Sequence, residues 1–212
     1  MAHGEIMMIG AYTAFVTQNI FRGWFGGSGT GFDCYFIVAL AASFAVAGLF
    51  GLALERGIIR FLYKRPLDTL LATWGLSLIL QQVFRSTFGA REVTPTLPDW
   101  LLGSWAPHPG LDIPINGLFV LALTAFVTGA VMLALYRSRW GLRVRATVAN
   151  RQMANAVGIN TSMTDRLTFA IGCGIAGIAG AAFTTIGSTG PTSGSLYIVD
   201  AFLVVTFGGA GS

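Results

Sequence analysis

Apolar residues run along this chain in blocks of about twenty, separated by short polar stretches, without the two-residue alternation of a half-buried strand. A helix needs about 20 mostly apolar residues to cross a hydrocarbon core about 30 Å thick. Four blocks meet that length: Cys34 to Leu54, Leu67 to about Phe88, Ile115 to Tyr136, and Leu167 to about Gly187. The third has no charged residue over 22 positions, so it is apolar all round and predicts a membrane span, not a surface helix. Two further blocks, Ile6 to Phe21 and Leu196 to Gly209, are incomplete, the first short and the second still apolar close to Ser212. The pattern predicts an all-α, polytopic transmembrane protein, truncated at both ends, whose 212 residues form one membrane domain.

Composition supports lipid as the solvent. Hydrophobic residues make up 54% and charged residues 10%, against about 25% charged in an ordinary soluble domain; so few charges could not coat a soluble core. The mean hydropathy of +0.68 agrees. A net charge of +4 could suit nucleic acid, but the positions of the basic residues argue otherwise. Ten of the thirteen fall in two stretches, Arg56, Arg60, Lys64, Arg65 and Arg137, Arg139, Arg143, Arg145, Arg151, Arg166. Placing both stretches inside puts residues 22–33, 88–114 and 188–195 outside, with only Arg22 and Arg91 there and Arg85 near a helix end. That is a positive-inside bias consistent with every crossing, and it excludes nucleic acid as a partner. Trp24, Trp100, Trp105 and Trp140 then lie near interfaces, while Trp74 does not.

The exterior loop from Gly89 to Pro114 contains five prolines, which argue against a continuous helix; it is either a docking lip or lid, or an irregular connection. The interior loop, about 137–166, is too long for a simple turn. Ala149, Met153, Ala156 and Val157 recur at helical spacing, Gly158 is placed to end that helix, and Ser162 with Asp165 has the form of a capping box opening the next span.

The run Arg145-Ala146-Thr147-Val148-Ala149-Asn150-Arg151-Gln152-Met153-Ala154-Asn155-Ala156-Val157-Gly158-Ile159 resembles the coupling loop of ABC importer permeases of the branched-chain amino-acid and urea family. The segment Ala2-His3-Gly4-Glu5 with Met8 to Tyr12, the segment Thr168 to Gly172 with Gly174 to Gly177, and Asp200-Ala201-Phe202 are similar to that family in the same order. Gly190 to Asp200 resembles the urea branch more than the amino-acid branch. The resemblance implies a multi-pass permease of the bacterial inner membrane, forming the path for urea or, as the alternative, for branched-chain amino acids. It implies ABC ATPase subunits, a second permease subunit and a periplasmic or extracellular substrate-binding protein as partners, with a small polar substrate. Arg145, Ala146, Asn150, Met153, Ala156, Gly158 and Ile159 would contact the ATPase. It also implies a further helix before Met1 and at least one after Ser212.

Other letter patterns have plainer readings. Gly172-x-Gly174-x-x-Gly177 fits a dinucleotide fingerprint, but no strand precedes it; Gly172, Gly174, Gly177 and Gly180 read instead as a small-residue face for close helix packing. His3-Gly4-Glu5 lacks the cysteine pair of a zinc deaminase, so no metal or other cofactor is expected there. His3 and Glu5 are either a polar flank or part of a helix break at membrane depth. Asp200 is either a functional intramembrane carboxylate or a solvated interfacial one. Gln81 and Gln82 sit deep in a span, where amides bond between helices or line a path. His3, Glu5, Gln81 and Asp200 are thus the candidates for the substrate path. Gly26, Gly27, Gly29 and Gly31 form an outer turn, and Asp68 pairs locally with Lys64 or Arg65 at a helix start. Cys34 and Cys173 are packing residues. An intramembrane enzyme lacks any nucleophile with a nearby base, and a passive channel has no need of the long interior loop.

Overall fold

A computed structural model describes residues 2–25, 34–59, 66–108 and 111–208. In chain order the elements are α1 (Ala2–Phe25), α2 (Tyr35–Leu54), a π turn (Glu55–Ile59), α3 (Pro66–Phe88) and a single 3-10 turn (Asp99–Leu101). There follow β1 (Ser104–His108), β2 (Leu111–Pro114), α4 (Ile115–Arg137), α5 (Arg139–Ala149), α6 (Arg151–Ala156), α7 (Thr161–Phe183) and α8 (Ser193–Phe207). The 23-residue helices α3, α4 and α7 are each about 35 Å long at about 1.5 Å per residue, enough to cross a bilayer core.

Three described helices qualify as spans by length and composition: Tyr35–Gly57, Ile115–Arg137 and Thr161–Phe183. α3 has the length, but Asp68, Gln81, Gln82 and Arg85 make it more polar than the others. The short first block of the sequence is part of a 24-residue helix. The last predicted span begins six residues before Leu167, because the polar turn Thr161–Arg166 is already helical.

α1, α2 and α7 make the core, α2 against α7 being the most extensive contact and α1 packing on both. Ala14, Tyr35, Phe36, Ala39, Leu101 and Ala181 form one buried cluster, and Ile6, Ala47 and Cys173 another. Without a hydrophobic drive between helices in lipid, close approach of small residues holds such a bundle together. Gly10 faces Gly177 so tightly that a Cβ on Gly10 would lie 2.1 Å from the Gly177 carbonyl oxygen. A Cβ on Gly180 would lie 1.8 Å from the Met7 oxygen, and one on Gly174 2.6 Å from the Phe44 ring. Gly172 differs: a Cβ there would meet nothing within 4 Å, so the packing role expected of it is not supported. It lies off the α1- and α2-facing side of α7. Cys173 is buried against Gly51, whereas Cys34 is exposed and is not a packing residue.

The described parts of the two predicted sets of loops gather at opposite ends of the bundle. At one end Val93 and Thr189 bond reciprocally through their backbones at 2.8 and 3.0 Å, and Asn116 donates to the Thr185 carbonyl at 2.9 Å. Gln18 donates to Thr96 there, and Ser188 to Glu92. At the other end the Arg166 guanidinium meets the buried Glu55 carboxylate at 2.9 Å. The exterior loop is more ordered than an irregular connection: β1 and β2 pair antiparallel, Trp105 opposite Ile113. Arg60, Lys64, Arg65 and the glycines Gly26, Gly27, Gly29 and Gly31 lie outside the described residues, and with them the proposed Asp68 pairing.

Candidate functional site

Two places carry polar chemistry that packing alone does not explain. The first is the interior loop. It folds as two helices, not one, because Asn150 adopts φ −156° and ψ 105°, ending α5 and starting α6. The Asn150 side chain accepts from the Met153 N–H at 3.0 Å, capping α6. The C-terminal end closes in a Schellman motif: Gly158 takes φ +85°, its N–H bonds Asn155 O at 3.0 Å, and the Ile159 N–H bonds Ala154 O at 3.0 Å. The expected capping box does not form. Asn160 caps α7 by accepting from the Met163 N–H, and Asp165 turns back to pair with Arg151.

The apolar face expected on this loop, Ala149, Met153, Ala156 and Val157, is exposed throughout and not folded inward. Ala154 is buried, but Val148, Met153 and Val157 are 82%, 66% and 76% exposed. Ala156 and Gly158 are also exposed. Arg145 stacks over the Tyr136 ring at 5.3 Å, tying α5 to the end of α4. A cleft of about 420 Å³ opens beside α6, lined in part by Trp140, Arg143, Val157, Ile159 and Met163. The result is a short, well-capped helix with exposed apolar side chains.

The second place is at mid-height. Glu5 is fully buried. Its Oε1 accepts from Ser77 Oγ at 2.7 Å and from Gln81 Nε2 at 2.7 Å, while Oε2 is buried without a partner. A buried polar atom left unsatisfied costs about 1–3 kcal/mol, so its persistence calls for an account. Ser77 is the middle residue of the 23 in α3, and Cys173, at the same level through Ile6 and Ala47, is near the middle of α7. Glu5 therefore sits level with the middle of α3 and α7. Glu5 lies in the first turn of α1 and is buried, so the solvated flank does not apply to it. The side chain of His3 lies outside the described residues.

Gln81 bridges to a cleft of about 310 Å³ lined by Leu78, Gln81, Gln82, Arg85, Pro191 and Thr192. The cleft lies between α3 and the start of α8, where Gly194 is pressed on Gly4: a Cβ on Gly4 would lie 2.0 Å from the Gly194 oxygen. Asp200 is not part of this group; it is exposed further along α8. Of the four path candidates, the structure joins Glu5 and Gln81 and leaves Asp200 apart. Ser77 and Arg85 were not singled out for this cluster by the sequence, although their spacing from Gln81, four residues on either side, puts all three on one helix face. Among the described residues no cluster of metal-binding side chains occurs.

Membrane-length helices packed around a glycine-lined core, with a carboxyl buried among them, define a polytopic helical membrane protein. The whole chain, residues 1–212, matches the family described as branched-chain amino acid transport system, permease component, and it belongs to that family. It is 31% identical over its full length to the high-affinity branched-chain amino acid transport system permease protein BraD of Pseudomonas aeruginosa, covering 69% of that protein. It is 32% identical to the LivH permease protein of the corresponding system of Escherichia coli K12, again over its full length and 69% of the relative. A probable branched-chain amino acid transport permease protein, LivH of Methanocaldococcus jannaschii, is 24% identical over 98% of the chain. No solved structure matches significantly. The chain is a transport permease and not an enzyme.

Proposed function

We propose that this chain is the permease subunit of an ABC importer that carries branched-chain amino acids across the bacterial inner membrane. The match of the entire chain to the permease family, with full-length relatives named for branched-chain amino acid transport, carries this reading. It favours the amino-acid alternative over urea. The stretch Gly190 to Asp200 that resembled the urea branch is accounted for in part by packing, since Gly194 abuts Gly4 and Tyr197 stacks edge-on with Phe183 at 4.9 Å.

ATP hydrolysis takes place on separate subunits, which receive α6 and its flanks. Met153, Val148 and Val157 supply the apolar contact, and the caps at Asn150 and Gly158 keep α6 rigid. A rigid element is what carries motion from one protein to another, because packed elements shift as units. Arg145, Ala146, Asn150, Met153, Ala156, Gly158 and Ile159 form this coupling surface. A second permease subunit completes the path, and a substrate-binding protein delivers the amino acid to the outer end.

The reading is tested by reconstituting the chain with its ATPase and binding protein in proteoliposomes. ATP-driven uptake of labelled leucine, isoleucine and valine, without uptake of urea, is the expected result; urea uptake without leucine uptake overturns the substrate assignment. Ala156→Asp, placed on exposed surface, is expected to abolish uptake while membrane abundance stays normal, and uptake at the parent rate would rule out the coupling role.

A further inference from the structure

The Glu5 cluster and the adjoining cleft share Gln81, so that a seam of polar side chains follows one face of α3 from one to the other. Ser77, Gln81 and Arg85 follow one another at four-residue steps, so the seam rises about 12 Å from mid-height towards the outer end. Its lower end is the Glu5 carboxyl, with Oε2 buried and unpartnered. Its upper end is Arg85, on the wall of the 310 Å³ cleft. Between them Gln81 both lines the cleft and donates to Glu5 at 2.7 Å. A seam with a guanidinium at one end, a carboxyl at the other and amides between is matched to a zwitterion. Urea has no full charge for either end to recognise.

We infer that this seam is the amino-acid-binding part of the translocation path: Arg85 receives the substrate carboxylate at the mouth of the cleft, and the free oxygen of Glu5 receives its ammonium group at mid-depth. The inference rests on the amino-acid reading above and names the residues that execute it. The two charged groups of an α-amino acid share one carbon, so they cannot span 12 Å at once. The substrate therefore engages the two ends in turn. Gln81 stands between the stages; rotation of its side chain would release Glu5 and open the cleft downwards. Leu78, 47% exposed, and Pro191 offer the apolar wall that a branched side chain needs. An ionisable group at the centre of a membrane span is costly, and pairing with a charged substrate is a use that justifies it. Substrate sites of membrane transporters commonly lie at this depth.

The test uses the reconstituted importer with labelled leucine and the variants Arg85→Gln, Arg85→Lys and Glu5→Gln. Glu5→Gln keeps the shape of the group and an oxygen to accept from Ser77 and Gln81. Loss of one charged contact is expected to change uptake by about tenfold or more. Arg85→Gln should raise KM for leucine by more than it lowers Vmax, with Arg85→Lys partly restoring it. Glu5→Gln should lower Vmax at parental membrane abundance and thermal midpoint. Leucine KM and Vmax within about twofold of the parent in both Gln variants would overturn the seam while leaving the substrate reading intact. Absence of leucine uptake by the parent protein would overturn the substrate reading, and the ammonium assignment with it. If Glu5→Gln does not accumulate in the membrane, Arg85→Gln on the exposed wall decides: a raised KM supports the seam and an unchanged one rejects it.

Discussion

A single missing side chain sets the spacing of the central helices. At Gly180 the backbone of α1 occupies the volume a Cβ would need, 1.8 Å from the Met7 oxygen, whereas two turns earlier Gly172 faces open space. The two glycines are therefore opposite experiments. Gly180→Val must push α1 and α7 apart, and overpacking of this kind costs about 1–3 kcal/mol or more. Its expected outcome is a lowered thermal midpoint in detergent and reduced membrane abundance. Gly172→Ala should be neutral or stabilising by up to about 1 kcal/mol, because glycine in a helix interior is the poorer choice; a loss of stability equal to that of Gly180→Val would show that the contact geometry is wrong. The spacing of glycines in the sequence makes no distinction between these positions. Which glycine meets a neighbour depends on the orientation of α7 in the bundle, a property of three helices together.

Among the elements, the interior loop shows how far local rules reach. Its length, its apolar spacing and the glycine at 158 were enough to expect a capped helix, since each acts over one turn of chain. The break at Asn150 was not foreseen, because asparagine serves a helix interior poorly but a cap well, and the letters do not say which it does. Asp165 was expected to cap and instead pairs with Arg151 on α6, a partner brought near by the turn at Gly158. Asn150→Ala should cost about 1 kcal/mol through the lost cap. If α6 couples the ATPase, the same change should lower the ratio of leucine imported to ATP hydrolysed; an unchanged ratio would show that the rigidity of α6 is not what matters. Across elements, Glu55 is 1% exposed and meets Arg166, which joins the end of α2 to α7. Arg166→Leu strands that carboxylate, a loss of about 3–5 kcal/mol for a buried pair. Thermal unfolding in detergent checks it, and Arg166→Lys should recover part of the loss.

At the scale of the molecule, the two ends of the bundle differ in kind. The bridge between Val93 and Thr189 closes one, and the Glu55–Arg166 pair with α5 and α6 marks the other. Single cysteines introduced at Ser188 and at Gln152 in a Cys34→Ser background, both away from the helix core, should report this with a membrane-impermeant maleimide on intact cells: labelling at Ser188 and none at Gln152. Labelling at Gln152 would reverse the topology and remove the coupling surface from the ATPase side. α4 has no buried residue along its 23, and is held mainly by its ends, through Asn116 and through Arg145 on Tyr136. Its sides are left exposed.

That the chain is built of long apolar helices followed from the sequence alone, because hydrocarbon acts on each segment separately and demands only length and apolarity. The tertiary structure decided what those rules leave free. It chose which small residues touch, turned Glu5 from a flanking polar residue into a buried mid-depth carboxyl, and brought Ser77 and Gln81 from 72 and 76 positions away to meet it. Contacts between separate helices depend on rotation and register, and no residue's own chemistry specifies those until its neighbours are in place.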